Sequence, residues 1–169
     1  MNCGALLMPV LLLGVQWSFA AALDETEIQR WIDTHAKRSQ SNEVTPMRAR
    51  VVGDLDGDAR DDVAVLYTLR PRGQQHERRY LAVFRNKLTG GRGGLHYHAH
   101  VLVGGTGAAE VNRVTILNQN VVLEMLTHRA GDATCCPTRP ATRRYRMVSR
   151  SLVLVKESAK SGKPTPAPK

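Results

Sequence analysis

The sequence predicts a mainly β domain, an antiparallel meander or sandwich of about seven or eight strands with one N-terminal amphipathic helix. From about residue 50 onward, short runs rich in Val, Leu, Tyr and Thr follow one another and are separated by turn residues. A single earlier segment has its apolar residues at helical spacing instead. About 147 residues remain after a predicted N-terminal leader, which is enough for one domain with its own core.

The start of the chain has the pattern of a signal peptide, in which an apolar run over residues 5–15 precedes small residues ending at Ala22. We therefore divide the chain into a signal peptide at 1–22, a single β-rich domain at 23–157 and a tail at 158–169. The tail carries prolines among lysines and is predicted to be disordered. Cleavage would give a periplasmic or secreted protein. Because no Lys or Arg precedes the apolar run, an uncleaved N-terminal membrane anchor is the alternative.

Residues 24–39 are predicted to form the helix. Acidic residues open this segment and basic residues close it, which suits the helix dipole. Its apolar stripe consists of Ile28, Trp31, Ile32 and His35. We expect the stripe to cover one face of the sheet that follows; a helix that binds another protein is the alternative.

The later apolar runs are predicted strands joined by tight turns, which favours sequential antiparallel pairing. Two of these turns are expected at residues 118–120 and 149–151. Residues 63–69 are apolar on both alternating faces, so this strand is expected to be central and covered on both sides. The strands predicted after it comprise residues 78–84, 95–103, 111–118, 121–127, 141–148 and 152–156.

An aspartate-rich loop precedes the central strand, and its spacing is typical of calcium sites. Asp54, Asp56, Asp58 and Asp62 occupy loop positions 1, 3, 5 and 9, and Arg60 at position 7 can offer its backbone carbonyl. Crowded carboxylates repel one another, so a cation that neutralises them stabilises the folded loop. We therefore predict one bound calcium ion. An acidic surface turn without metal is the alternative.

The helix–loop–helix type of calcium loop is excluded, because it needs Gly at position 6 and Glu at position 12, where this chain has Ala59 and Val65. The run D-L-D-G-D-A-R-D-D from Asp54 to Asp62, with Val-Ala-Val after it, resembles the calcium loop of FG-GAP or VCBS repeats, the blade modules of integrin-type propellers. This resemblance implies calcium held by the same four aspartates and the carbonyl of Arg60. Ala59 replaces the family's second glycine, at a cost of about 1–2 kcal/mol if its backbone is left-handed. Since the motif occurs once, a propeller is not expected.

Cys135 and Cys136 are adjacent and are the two cysteines that remain after the predicted leader. In an oxidising compartment they can form a vicinal disulfide, although adjacent Cα atoms are only ~3.8 Å apart and such a bridge is strained. An intermolecular bridge and a catalytic thiol are the alternatives. We interpret the pair as a structural turn, since Pro137 follows it.

The segment G-D-A-T-C-C-P-T, which starts at Gly131, precedes a basic strand. Together with the aspartate loop and the run Y-L-A-V-F from Tyr80, it resembles uncharacterised exported bacterial proteins, among them LppP/LprE-like lipoproteins with a C-C-P element. Ala133 replaces a proline of that group, and no lipidation cysteine follows the leader. The resemblance implies export and fold rather than an activity.

Three histidines alternate along one predicted strand. His96, His98 and His100 are expected to project from one face, with Leu95, Tyr97, Ala99, Val101 and Val103 on the other. Zinc or copper could then bind there, with His76 or His128 as a further ligand. The alternative is an ordinary polar face of a half-solvated strand.

The formal net charge of +9 is unevenly distributed. Residues 1–62 hold ten acidic and six basic residues, whereas residues 63–169 hold five acidic and eighteen basic ones. The basic part attracts anions, which makes an anionic envelope polymer or another envelope protein a possible partner. Nucleic acid is not expected, because no nucleic-acid module or row of stacking aromatics is recognisable. A solvated surface with no partner is the alternative. The arginines concerned are Arg70, Arg72, Arg78, Arg79, Arg139, Arg143, Arg144, Arg146 and Arg150.

Two classes of function follow from these features. The favoured one is an exported, non-enzymatic calcium-binding module of the bacterial cell envelope, with a structural or interaction role. The alternative is a transition-metal-dependent enzyme or metal-binding protein that uses His96, His98 and His100. The sequence contains no recognisable nucleophile–base arrangement, phosphate-binding glycine loop or paired catalytic carboxylates.

Overall fold

Two antiparallel sheets and one α-helix make up the part of the chain that the computed structural model describes, residues 17–89 and 92–159. A 3-10 helix at Thr45–Met47 separates the first two strands. In chain order the other elements are α1 (Trp17–Arg38), β1 (Ser41–Glu43), β2 (Ala49–Gly53), β3 (Asp62–Pro71), β4 (Arg78–Thr89), β5 (Arg92–Gly105), β6 (Glu110–Leu117), β7 (Asn120–Thr127), β8 (Arg139–Val148) and β9 (Ser151–Ala159).

The first sheet is built around β3. β4 pairs with one side of β3 and β5 follows β4, while β1 and β2 share the other side of β3. The second sheet is a meander in the order β6, β7, β8, β9. The predicted fold class, a mainly β antiparallel sandwich with one helix, is therefore confirmed. The described residues contain nine strands rather than seven or eight, because the short polar strand β1 gives no apolar alternation to detect.

Two apolar cores lie on opposite faces of the first sheet. One fills the space between the sheets and includes Leu66 and Leu123, and the other lies between α1 and the first sheet and includes Ile32 and Phe84. β3 serves both cores, since Ala64 and Leu66 face the second sheet while its odd-numbered neighbours face α1. The expectation of a central strand covered on both sides is confirmed. The residues of β3 on the helix side are Val63, Val65, Tyr67 and Leu69.

Helix α1 packs its predicted stripe on the first sheet, with Ile28 and Ile32 fully buried. Arg48 fastens this packing from the side. Its guanidinium donates two hydrogen bonds to Glu43, at 2.8 and 2.6 Å, and further bonds to Glu25 and Gln29 of the helix at 2.8 and 2.7 Å. The hydrogen bonds from Arg48 to Glu43 are the main reason that the pKa of Arg48 is raised. One half-buried cation thus connects α1 to the sheet edge.

The turn between β6 and β7 has the backbone that a two-residue hairpin requires. Asn118 and Gln119 both lie in the left-handed region, with φ of 48° and 58°. This conformation twists the two strands in the right direction for pairing, and Asn adopts it more readily than most residues. Ser149 has φ of 53° in the turn between β8 and β9. Both predicted turns are therefore present.

The predicted terminal segments fall mostly outside the described residues. The signal peptide at 1–22 includes residues 1–16, which are not described, and α1 begins at Trp17. Of the predicted tail at 158–169, β9 takes in the first two residues, and residues 160–169 lie beyond the described part.

Candidate metal site

The aspartate loop joins β2 to β3 and is closed at its base by their pairing, which ends at Gly53 opposite Asp62. Two of its residues have left-handed backbones, Gly57 with φ of 83° and Ala59 with φ of 63°. These turns curl the loop so that side chains two residues apart point inward together. Ala59 therefore has a left-handed backbone, which costs a residue with a Cβ about 1–2 kcal/mol.

Three carboxylates converge inside the loop. Asp54, Asp56 and Asp58 each offer one oxygen, and these oxygens all lie within 4.8 Å of one another. Calcium holds its oxygen ligands at about 2.3–2.6 Å, so ligands on opposite sides of one ion are about 5 Å apart. The donor type and the spacing therefore fit a single calcium ion. All three aspartates are partly buried, which limits competition from solvent.

The loop backbone holds these carboxylates in place. Asp54 accepts hydrogen bonds from the N–H groups of Gly57 at 2.7 Å and Ala59 at 3.1 Å. Asp56 accepts from Asp58 at 3.2 Å, and Asp58 accepts from Arg60 at 3.0 Å. Each carboxylate keeps further lone pairs. The backbone therefore holds the three carboxylates in position, and their oxygens still have lone pairs with which to bind an ion.

Asp62, the fourth predicted ligand, lies outside this group of three. It is fully buried, and its two oxygens accept the N–H of Leu55 at 3.0 Å and the N–H of Asn86 at 2.9 Å. Burial is the main cause of a raised pKa for Asp62, which the two hydrogen bonds partly oppose. Its observed contacts tie the loop to β4. The spacing of the aspartates could not predict the hydrogen bond from Asn86 to Asp62, because Asn86 is distant in the chain.

Two arginines contact the aspartate group directly. The guanidinium of Arg60 contacts the carboxylate of Asp58 and also donates a hydrogen bond to the carbonyl of Asn86 at 3.1 Å. Arg85, on β4, forms an ion pair with Asp56. The spacing of the loop residues predicted only the backbone carbonyl of Arg60 as a ligand and gave no sign of Arg85. The loop thus has internal positive charges that a bound cation has to displace or share.

The three histidines of β5 do not share one face, which corrects the expectation that His96, His98 and His100 project together. β4 and β5 shift register between Val83 and Phe84, and this bulge leaves His98 without a partner in the ladder. Leu95 therefore faces α1, whereas Ala99 faces the second sheet. Within the described residues, the aspartate group is the one set of three or more potential ligands close enough to hold a metal.

His100 instead joins an aromatic cluster between β5 and α1. Its Nδ1 lies 2.7 Å from the hydroxyl of Tyr97, and its ring centroid is 4.7 Å from that of His35. His35 Nδ1 is in turn 2.8 Å from the hydroxyl of Tyr67. Burial lowers the pKa of His35 to about 4, with His100 and Arg38 adding to the effect. The predicted helix stripe indicated His35, but the bulge that brings His100 here left no signal in the sequence.

Cys135 and Cys136 form a disulfide with each other, in an exposed loop between β7 and β8. Asp132 organises this loop by accepting hydrogen bonds from the N–H groups of Arg129 at 2.8 Å and Thr138 at 2.9 Å. These bonds keep the pKa of Asp132 below its usual range, the bond from Arg129 being the largest cause. The bridge therefore lies in a compact turn tied at both ends.

Comparisons with known proteins add no assignment to this site. No protein-family model, no curated protein and no solved structure matches the chain. Across residues 17–89 and 92–159, no helix combines the length and the apolar character that crossing a membrane requires.

Proposed function

We propose that this chain is a non-enzymatic calcium-binding module, in which one ion bound by Asp54, Asp56 and Asp58 stabilises the loop between β2 and β3. The observation that carries this proposal is the convergence of three carboxylate oxygens within 4.8 Å on a loop whose ends are fixed by strand pairing. Asp62 and the carbonyl of Arg60 would supplement these ligands, as the resemblance to FG-GAP and VCBS loops implies. The ion would supply positive charge only.

The number of charges in the loop favours bound calcium over neutralisation of the three aspartates by arginines alone. Asp54 has no arginine contact among the described residues, while Asp56 and Asp58 have one each. Two guanidiniums thus leave one carboxylate of the group without a counter-charge. A divalent ion would neutralise this carboxylate and attract the others. Because the arginines compete with the ion, we expect binding in the weak range of extracellular calcium modules, at a Kd of about 10⁻⁴–10⁻³ M.

We further propose that the module works outside the cytoplasm, in the bacterial cell envelope, where calcium at such concentrations is a constitutive structural ion. A partner would be an anionic envelope polymer or another envelope protein. Exposed arginines of the second sheet, Arg144 and Arg146 on β8 and Arg150 in the turn that follows, support an anionic partner.

The test is thermal melting of the full chain in chelator and in increasing calcium, beside two aspartate variants. Asp56→Ala removes a member of the group, and Asp61→Ala makes the same charge change at an exposed neighbour. We expect a saturable rise in Tm for wild type and Asp61→Ala, and none for Asp56→Ala. Equal responses of the two variants, or a wild-type response to zinc alone, would refute the calcium function.

A further inference from the structure

A cavity of about 230 Å³ opens at the end of the inter-sheet core that is remote from the aspartate loop. Its floor is formed by β3 and β4, and its walls by residues 105–110 and by the disulfide loop, including Cys135 and Pro137. One wall of the cavity depends on Gly104, which lets the backbone at Ala109 pack directly against β5. A Cβ at residue 104 would lie 2.2 Å from the carbonyl oxygen of Ala109.

Two polar residues lie where the apolar face of the first sheet reaches this cavity. Thr68 and Arg79 are directly opposite each other in the pairing of β3 with β4. Strand alternation places them on the same face as Leu66 and Leu81, which belong to the inter-sheet core. A threonine and an arginine thus stand where the pattern would otherwise continue with apolar side chains, and both line the cavity.

The hydroxyl of Thr68 is buried without a hydrogen-bond partner among the described protein groups. The residue is 1% exposed, and its Oγ1 has no donor or acceptor within reach. Native structures usually pair buried hydroxyl groups, because a hydroxyl without a partner loses its hydrogen bonds to water and gains none in return. An unmatched hydroxyl that lines a cavity is therefore available to a ligand.

Arg79 also has a hydrogen-bond donor without an acceptor, and its guanidinium carries a positive charge. Its Nε also lacks an acceptor, and its Nη2 makes only a long contact of 3.4 Å to the carbonyl of Met47. It forms no salt bridge with any carboxylate in the described part of the chain. Burial is the main cause of a lowered pKa for Arg79, and the nearby charges of Glu110 and Glu77 partly oppose it. An anion in the cavity would supply the missing partner.

We propose that this cavity binds a small monocarboxylate, whose oxygens accept hydrogen bonds from Arg79 Nε and from the Thr68 hydroxyl. A carboxylate matches the planar fork of a guanidinium. Glu77 and Glu110 also line the cavity, so a doubly charged anion is disfavoured there. Glu77 is paired with Arg70, and among the described residues neither Glu77 nor Glu110 forms a salt bridge with Arg79, so the Nε of Arg79 can still donate to a ligand. The site is separate from the calcium loop and extends the proposed function.

Propionate and its neutral isostere propionamide are suitable probes, added to the full chain and followed by isothermal titration calorimetry and NMR chemical shifts. Thr68→Val removes the hydroxyl at constant shape, and Arg79→Gln removes the charge. Arg78→Gln makes the same charge change at an exposed neighbour and is the control. Urea unfolding of each variant establishes that it is folded. Because the Thr68 hydroxyl has no protein partner, Thr68→Val is expected to keep the wild-type stability or to gain.

We expect saturable binding of propionate and no binding of propionamide. Arg79→Gln and Thr68→Val should weaken propionate by about tenfold or more, while Arg78→Gln binds like wild type. If Arg79→Gln fails to fold, the comparison of Thr68→Val with wild type decides. The proposal is overturned by any of three results: no saturable response to propionate, equal binding of propionamide, or tighter binding of inorganic phosphate than of propionate.

Discussion

Arg85 on β4 forms an ion pair with Asp56, at the centre of the aspartate loop. The two side chains are 29% and 14% exposed, so the pair is partly shielded from water. The loop therefore contains one of its own counter-charges, supplied by a strand that neither flanks it nor adjoins it in the chain. We therefore expect this contact to stabilise the loop when calcium is absent.

Arg85→Gln is expected to make the loop more dependent on calcium. In chelator the free energy of unfolding should fall by about 1–2 kcal/mol, because Asp56 loses its counter-charge in a partly buried site. Calcium should then restore stability and bind several-fold more tightly than in wild type, since no guanidinium competes for Asp56. Urea unfolding with and without calcium measures both effects, and Lys87→Gln on the same strand is the control. Unchanged stability in chelator would show that the ion pair contributes nothing.

Ala59→Gly is expected to stabilise the protein. The left-handed backbone at φ of 63° costs a non-glycine residue about 1–2 kcal/mol, which outweighs the extra unfolded-state entropy of glycine, about 0.4–1 kcal/mol. We therefore expect a net gain of about 0.5–1 kcal/mol by urea unfolding. Ala130→Gly, in an exposed turn with ordinary backbone angles, should instead lose stability. A loss in both variants would mean that the loop relaxes out of the left-handed conformation in solution.

Asp62→Asn is expected to destabilise the protein by about 1–3 kcal/mol, whether or not calcium is present. The two carboxylate oxygens of Asp62 accept one N–H each, from Leu55 and Asn86, and an amide has only one acceptor to offer. The N–H of either Leu55 or Asn86 would then point at the side-chain NH₂ group of the new asparagine, which is also a donor. Asp61→Asn, at the exposed neighbouring position, should change stability little. If the difference between wild type and Asp62→Asn appears only when calcium is present, then Asp62 acts mainly as a metal ligand.

The stability of the folded protein should fall between pH 6.5 and about 4 because of His35. Its pKa is about 4 in the folded state and about 6.5 when unfolded, so the unfolded chain binds the proton first as the pH is lowered. The stabilisation is fully present above pH 6.5 and is lost as the pH falls toward 4. Since the imidazole is only half-buried, we expect at most about 2 kcal/mol from this residue.

Urea unfolding across this pH range tests the contribution of His35. Tyr67, Tyr80, Trp31 and His100 surround its ring, and Arg38 adds a positive charge. His35→Gln should flatten the pH dependence, and His76→Gln, at an exposed loop position, is the control. A slope that His35→Gln does not alter would assign the acid sensitivity to other groups.

The sequence predicted those features that depend on local pattern. Strand alternation identified β3 as central, and Asn118 and Ser149 mark turns whose backbones need left-handed residues. The aspartate spacing identified three side chains that converge in the fold. Each of these depends on residues close together in the chain.

Features that depend on register between distant strands were missed. The bulge at His98 reverses the alternation along β5, and no Gly or Pro marks it, so a strict period of two assigned the histidines to the wrong face. The contact of Arg85 with Asp56 likewise follows from how β4 pairs with β3. Arg79 could have been found, since it continues the alternation of Leu81 and Val83 toward the core, but its charge made a surface position the natural expectation.

Calcium binding to the loop is tested most directly by equilibrium dialysis of the full chain against radioactive calcium, with Asp56→Ala and Asp61→Ala measured in parallel. We expect one ion per chain with a Kd of about 10⁻⁴–10⁻³ M for wild type and Asp61→Ala, and no binding to Asp56→Ala in that range. Wild type that binds no calcium at about 10 mM, or Asp56→Ala that binds it as wild type does, would contradict the calcium site.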